Sequence, residues 1–242
     1  ISSAKNLAMM GPRHPLDLTH TISQIKHFMP RDDQKDAISA CVEGFNSHDR
    51  GQLILPCGAG KTLTSLWIKE QLPDPPKRTI VLVPSTALIK QTKDNWSSQR
   101  KKDFDTLCVC GDDSVGDEAE QKDIEALEEL KQNRTKVTTD TREIQKFLTD
   151  SEDRDSVIYC TYQSYHKLME AADKANVEFD LAIIDEAHKT TGIQKDDKAR
   201  QFSLVLDDDN LKIHKRLFMT ATPRVSKIRS HDSAQVFSMH DE

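Results

Sequence analysis

Two short stretches hold the residue types that could carry phosphate chemistry. The first is LILPCGAGKTLTS, residues 53–65, in which Gly58 and Gly60 precede Lys61 and Thr62. Backbone N–H groups of such a loop converge on a phosphate at a helix N-terminus, where the helix dipole also favours an anion. The glycines supply the backbone freedom that the turn requires. In that chemistry the Lys61 ammonium would reach the β- and γ-phosphates, and the Thr62 hydroxyl would ligate Mg²⁺. The usual spelling, G-x-x-x-x-G-K-[ST], places its first glycine where this chain has Leu55. That position closes a strand-like run before the loop begins to curve, so it is the one the pattern loses at least cost.

The second stretch is LAIIDEAH, residues 181–188. Asp185 ends an apolar run, where its carboxylate could hold Mg²⁺ through water, and Glu186 comes next, placed to orient an attacking water. A DE pair after a strand is also the ordinary acidic first turn of a helix. Its coincidence with a phosphate loop favours a nucleotide triphosphatase, with Cys57, Ala59 and Leu63 joining the glycines, Lys61 and Thr62 around ATP. That chemistry requires Lys61 to meet Asp185 and Glu186 across neighbouring strand ends.

The elements that must position these groups are legible as short, nearly continuous apolar runs at 52–56, 79–84, 106–110, 156–160, 181–185 and 216–220. Such runs suit strands buried on both faces, as in a parallel sheet covered by helices. Helical patterns intervene. Residues 32–45 place Ala37, Ile38, Cys41 and Val42 on one stripe, residues 62–72 come after the glycine loop, and residues 85–96 begin with Ser85 as a cap. Strand–helix alternation predicts a doubly wound α/β domain, a mostly parallel sheet with helices on both faces. Residues 1–27 read as a linker or the tail of a preceding domain. Residues 112–155 read as an exposed, strongly charged helical insertion whose charges form a solvated face. Residues 231–242 read as the start of a connection to a further domain.

Composition narrows the classes. In 242 residues, 31% are charged and the formal net charge is -6, so any nucleic-acid contact must come from local groups rather than a basic surface. No run of eighteen apolar residues exists to span a membrane, and no membrane partner is expected. The chain starts at Ile1 without a basic-then-apolar leader. Of five cysteines without a C-x-x-C pair, three lie in or beside strand-like apolar runs and read as reduced core residues, and a cytoplasmic location is expected.

Taken together, GAGKT, DEAH (185–188) and TATP (220–223) resemble the first RecA-like domain of superfamily 2 helicases and translocases, a P-loop NTPase fold. The resemblance runs from about Phe28 to Arg224 and is strong because of motif order rather than any one segment. It implies that in PRDDQKDAI (30–38) Gln34 reads the adenine edge with Arg31 nearby. It implies that VPSTALIKQTKDNW (83–96) and TYQS (161–164) contact a nucleic-acid backbone through Pro84, Ser85, Thr86, Gln91 and Thr161. Free N–H groups and hydroxyls at a helix N-terminus could bind a phosphate there without added positive charge. His188, Thr220 and Thr222 would couple the γ-phosphate state to that polymer. The basic run at 100–102 reads as a solvated helix end.

The resemblance also implies a second RecA-like domain carrying arginine fingers, worth ~10³–10⁵ in rate. Residues 1–242 alone are therefore expected to bind ATP·Mg²⁺, hydrolyse it poorly and unwind nothing. IIDEAHKTTG, KRLFMTATPRV and VFSMHDE are further similar to the helicase-like motor of single-chain restriction-modification enzymes, which implies duplex DNA as the polymer. Two alternatives stay open: an RNA helicase or remodelling ATPase of the same superfamily, and a catalytically silent nucleotide-binding scaffold.

Overall fold

A computed structural model describes residues 27–111, 118–186, 192–193, 205, 211–221 and 236–237. The helices are α1 (Asp32–Gly44), α2 (Lys61–Gln71), α3 (Thr86–Gln99), α4 (Glu118–Gln132), α5 (Thr141–Asp150) and α6 (Tyr165–Ala175). The strands are β1 (Arg50–Ile54), β2 (Arg78–Val83), β3 (Asp105–Val109), β4 (Ser156–Thr161), β5 (Phe179–Ile184), β6 (Gly192–Ile193), β7 (Ile213–Thr220) and β8 (Val236–Phe237). Six strands form one sheet in the order β1-β7-β5-β2-β4-β3, and every pairing in it is parallel. β6 and β8 make a separate antiparallel pair.

The expected architecture is thus present, with each main strand at or near its sequence run. The reason is visible in β2. Ile80 and Leu82 pack into one core layer with Ile144, Leu148 and Leu168 of α5 and α6. Val81 and Val83 pack into the other with Ile38, Leu66, Ile89, Trp96 and Leu127 of α1 to α4. Alternate residues serve opposite faces, so a strand covered on both sides has no polar phase and reads as an unbroken apolar run.

The segment at 112–155 departs from the expectation of an exposed insertion. Leu127 and Leu130 of α4 are buried against the α3 side of the sheet, and Ile144 and Leu148 of α5 are fully buried on the other side. Between them Val137 makes a parallel bridge to Cys108. The apolar spacing that marks these stretches as helical also docks them, while their many charges lie on the remaining faces.

All six parallel strands point one way, so Ile54, Val83, Val109, Thr161, Ile184 and Thr220 share one edge of the sheet. Ligands of open α/β sheets bind in the crevice beyond such carboxyl ends. Trp96 ties the core to that edge. Fully buried and set edge-on to Tyr159 with centroids 6.0 Å apart, it donates its indole N–H to the Thr62 carbonyl at 2.8 Å. Cys108, Cys110 and Cys160 are buried thiols outside any disulfide, and burial pushes the thiols of Cys108 and Cys160 well up. They are inert core groups. Among the described residues no helix is long and apolar enough to cross a membrane.

Candidate active site

The glycine loop bridges β1 and α2. The strand ends at Ile54, and the Leu55 N–H still reaches across to the Thr220 carbonyl at 3.2 Å. Leu55 therefore continues the ladder, which is why a side chain is tolerated where the usual pattern has glycine. Gly58 and Gly60 lie at φ +76 and +84, a left-handed region that disfavours side chains. Lys61 folds back over the loop and donates to the Leu55 carbonyl at 3.1 Å and the Pro56 carbonyl at 3.5 Å. Cys57 is exposed at the crest.

From α1, Gln34 braces the loop. Its amide nitrogen donates to the Ala59 carbonyl at 3.1 Å and to Thr64 Oγ1 at 3.2 Å, while its amide oxygen accepts from the Arg31 N–H at 3.0 Å. The residue is 3% exposed. Arg31 adds a second donor to the Ala59 carbonyl at 2.9 Å and pairs with Asp33. In this arrangement the amide nitrogen of Gln34 is directed at Ala59 of the loop and Thr64 of α2 rather than outward. Leu63 donates its N–H to Gly60 and packs against the core beneath.

The α2 N-terminus has features that suit an anion. Its cap is Gly60, without a side-chain hydrogen bond, and no acidic residue stands in its first turn. By contrast, Ser85 caps α3, Asp140 caps α5, and two aspartates open α1. The positive pole of α2, flanked by Lys61, is thus open to a negative ligand.

Asp185 and Glu186 come after β5 on the same edge. β1 and β5 are separated by β7, so the lysine and the carboxylates are one strand further apart than adjacent ends would be. Two strand spacings are about 10 Å, a gap that a Mg²⁺-bound triphosphate and a lysine side chain can span. Register puts Thr220 level with Ile54 and Phe218 level with Ile184, so Thr220 stands between the two halves. It is buried, and its carbonyl is the one that holds Leu55. His188 and Thr222 lie outside the described residues.

The acidic turn is fixed on three sides. The Asp185 N–H donates to the Leu82 carbonyl at 2.9 Å, its carbonyl accepts from the Tyr162 hydroxyl at 2.7 Å, and its Oδ1 accepts from the Glu186 N–H at 2.9 Å. Glu186 itself is left-handed at φ +53. A non-glycine residue there is strained, and such strain persists only where the surroundings over-determine it.

The segments assigned to nucleic acid share this edge. Pro84 and Ser85 come after β2 and are half-buried, Thr86 is buried, Gln91 is exposed on α3, and Thr161 ends β4. Their polar groups are less open than expected. Ser85 Oγ accepts from the Leu88 N–H at 3.3 Å, Asp123 of α4 accepts from the Ala87 N–H at 2.7 Å, and Thr161 Oγ1 accepts from the Ser164 N–H at 3.4 Å. Lys90 of α3 pairs with Glu129 of α4 at 2.9 Å. Sequence spacing does not reveal Asp123, because it reaches α3 across 36 positions. Tyr162 lies within the TYQS segment, but its burial and its contact with Asp185 carry no local signal.

A comparison with protein families matches residues 27–225 to the type III restriction enzyme res subunit. The chain belongs to that family. It is a helicase-like domain with the RecA-like fold of superfamily 2 helicases. Res-family membership is accompanied by a likeness to the ATP-dependent Type ISP restriction-modification enzyme LlaBIII bound to DNA, with TM-score 0.69 and 31% identity. That match covers 89% of this chain and 14% of the enzyme. The helicase domain of Pyrococcus furiosus Hef shares the fold at TM-score 0.52 and 19% identity, covering 81% of this chain and 34% of that one. UvrABC system protein B of Natronomonas pharaonis is 39% identical over 84 residues, 34% of this chain and 12% of that protein. The res-family chain thus spans a small fraction of the relatives it matches.

Proposed function

We propose that this domain is the ATP-binding half of a motor that moves along duplex DNA in a restriction system. The observation that carries the reading is the shared sheet edge. The loop with Lys61 and Thr62 and the turn with Asp185 and Glu186 flank a single strand whose end is Thr220.

ATP would lie along the α2 N-terminus with its phosphates on the N–H groups from Gly58 to Thr62 and Leu63 behind them. Lys61 would exchange its carbonyl partners for the β- and γ-phosphates, a stronger charge-assisted interaction. Thr62 Oγ1 and Asp185 would hold Mg²⁺, which keeps several waters and takes its remaining ligands from phosphate rather than from a protein cage. When bound, the ion supplies Lewis-acid stabilisation of the transferred phosphoryl group. Glu186 would orient the attacking water, its carboxylate aimed by the left-handed turn. Arg31 and Gln34 would meet the base, and adenine reading by Gln34 would use its oxygen or a turned amide. Thr220, with His188 and Thr222, would pass the γ-phosphate state to the polymer, and a second RecA-like domain would supply the arginine fingers.

Duplex DNA would cross the edge formed by Pro84 to Thr86, Gln91 and Thr161. The Ala87 N–H that would meet a phosphate holds the Asp123 carboxylate, so a DNA phosphate would have to compete with that group. LlaBIII is bound to DNA in the structure this chain resembles, which favours DNA over RNA. Steady-state hydrolysis by the full-length protein tests the proposal. Duplex DNA should stimulate it and Lys61→Ala should abolish it. Stimulation by RNA alone would assign the remodelling alternative, and binding of ATP·Mg²⁺ in calorimetry without turnover on any polymer would leave only the silent nucleotide-binding scaffold.

A further inference from the structure

Tyr162 sits where three loops of the sheet edge meet. It comes directly after Thr161, the last residue of β4, and its own N–H donates at 3.3 Å to the carbonyl of Val83, the residue before Pro84 and Ser85. Its carbonyl accepts the Tyr165 N–H, so the residue is locked into the turn that opens α6. Its ring is 1% exposed, among Leu82, Cys160 and Ile184. From that core position its hydroxyl donates to the Asp185 carbonyl at 2.7 Å. A buried phenol is placed where its O–H finds a partner, and this partner is the peptide between Asp185 and Glu186.

We infer that Tyr162 is a positioning residue for hydrolysis. Its backbone is fixed to both segments assigned to the nucleic acid, and its hydroxyl is fixed to the peptide that sets the Glu186 carboxylate. A polymer that shifts the Thr161–Ser164 turn therefore shifts, through a stiff aromatic ring, the peptide that aims the proposed water-orienting group. The strained φ of Glu186 supplies a reason for such a restraint, because a left-handed glutamate relaxes when the contacts that impose it are removed. The inference rests on the proposed function and adds to it a route from polymer to water that does not pass through His188 or Thr222.

The test is Tyr162→Phe in the full-length protein, which keeps the ring and removes one donor. Hydrolysis is measured against ATP concentration with and without duplex DNA, beside nucleotide binding as a control for the folded site. The expected result is a fall of about tenfold in kcat at saturating DNA, the factor that ~1.4 kcal/mol of lost transition-state alignment produces. KM for ATP should stay within about twofold, a split that removal of binding alone would not give. The ratio of DNA-stimulated to DNA-free turnover should fall as well. Should the variant fold poorly, 3-fluorotyrosine at the same position alters the donor while keeping the shape, and the stimulation ratio should change. An unaltered ratio in either variant, with wild-type stimulation intact, overturns the role of Tyr162 and leaves the proposed function standing. Absence of DNA stimulation in the wild type overturns both.

Discussion

Alanine at Gly60 should damage the nucleotide loop far more than alanine at Gly58, although both glycines are left-handed. A side chain at either position carries the left-handed penalty of about 1–2 kcal/mol. At Gly58 an added Cβ meets nothing within 4 Å, so that penalty is the whole cost. At Gly60 the Cβ would lie 2.7 Å from Gln34 Nε2. Gln34 is buried and bonded to Ala59 and Thr64, so it can yield only by giving up those hydrogen bonds, worth about 1 kcal/mol each. Gly60→Ala should therefore cost about 3–4 kcal/mol against about 1–2 for Gly58→Ala. Thermal melting of the chain reads the difference at roughly 2–4 °C per kcal/mol, and calorimetry with an ATP analogue reads the loss of a formed loop. A double mutant isolates the clash. With Gln34→Ala already present, adding Gly60→Ala should cost no more than Gly58→Ala does, because the new Cβ then has nothing to strike. Equal losses for the two glycine variants in the wild-type background would refute the brace between α1 and the loop.

Other outcomes depend on single contacts. Asp123→Ala removes a carboxylate from the Ala87 N–H and should lower stability by about 1 kcal/mol while raising DNA affinity in a filter-binding titration. Unchanged affinity would mean that α4 and DNA do not compete. Lys69 has a nearly buried ammonium bonded to both Asp155 oxygens at 3.0 and 2.9 Å. Asp155→Ala should cost about 3 kcal/mol by denaturant unfolding, and Lys69→Met in that background should recover part of it. Of the five cysteines only Cys57 is exposed, while burial pushes the Cys41, Cys108 and Cys160 thiols up. Mass spectrometry after brief alkylation of the native chain should find Cys57 modified first, and ATP·Mg²⁺ should slow it.

How much of the fold and site is legible in the sequence depends on how local the physics is. The β2 and β5 runs declare themselves because both faces are covered, and the Ser85 cap because it bonds three residues on. Leu55 can be assigned to the strand from its place after an apolar run, and its N–H does continue the ladder to Thr220. Contacts across long sequence separations leave no such trace. The insertion of β7 between β1 and β5 moves Lys61 one strand further from Asp185 than adjacent ends would have it. The docking of α4 and α5 is hidden because Leu127, Leu130, Ile144 and Leu148 are few among many charges. The resemblance directs the Gln34 amide at a base, whereas its nitrogen donates to Ala59 of the loop and Thr64 of α2. His188 and Thr222 lie outside the described residues, and their coupling role stays a proposal.

Lys61 and Asp185 should serve one Mg²⁺-bound triphosphate across the end of β7, and the whole motor reading depends on that. Calorimetric titration of the chain with a non-hydrolysable ATP analogue, with and without Mg²⁺, tests it most directly. Lys61→Ala should weaken binding under both conditions by tenfold or more, about 1.4 kcal/mol, whereas Asp185→Asn should remove only the part of the affinity that Mg²⁺ adds. Binding that is indifferent to both substitutions, or that gains nothing from Mg²⁺ in the wild-type chain, would contradict the account.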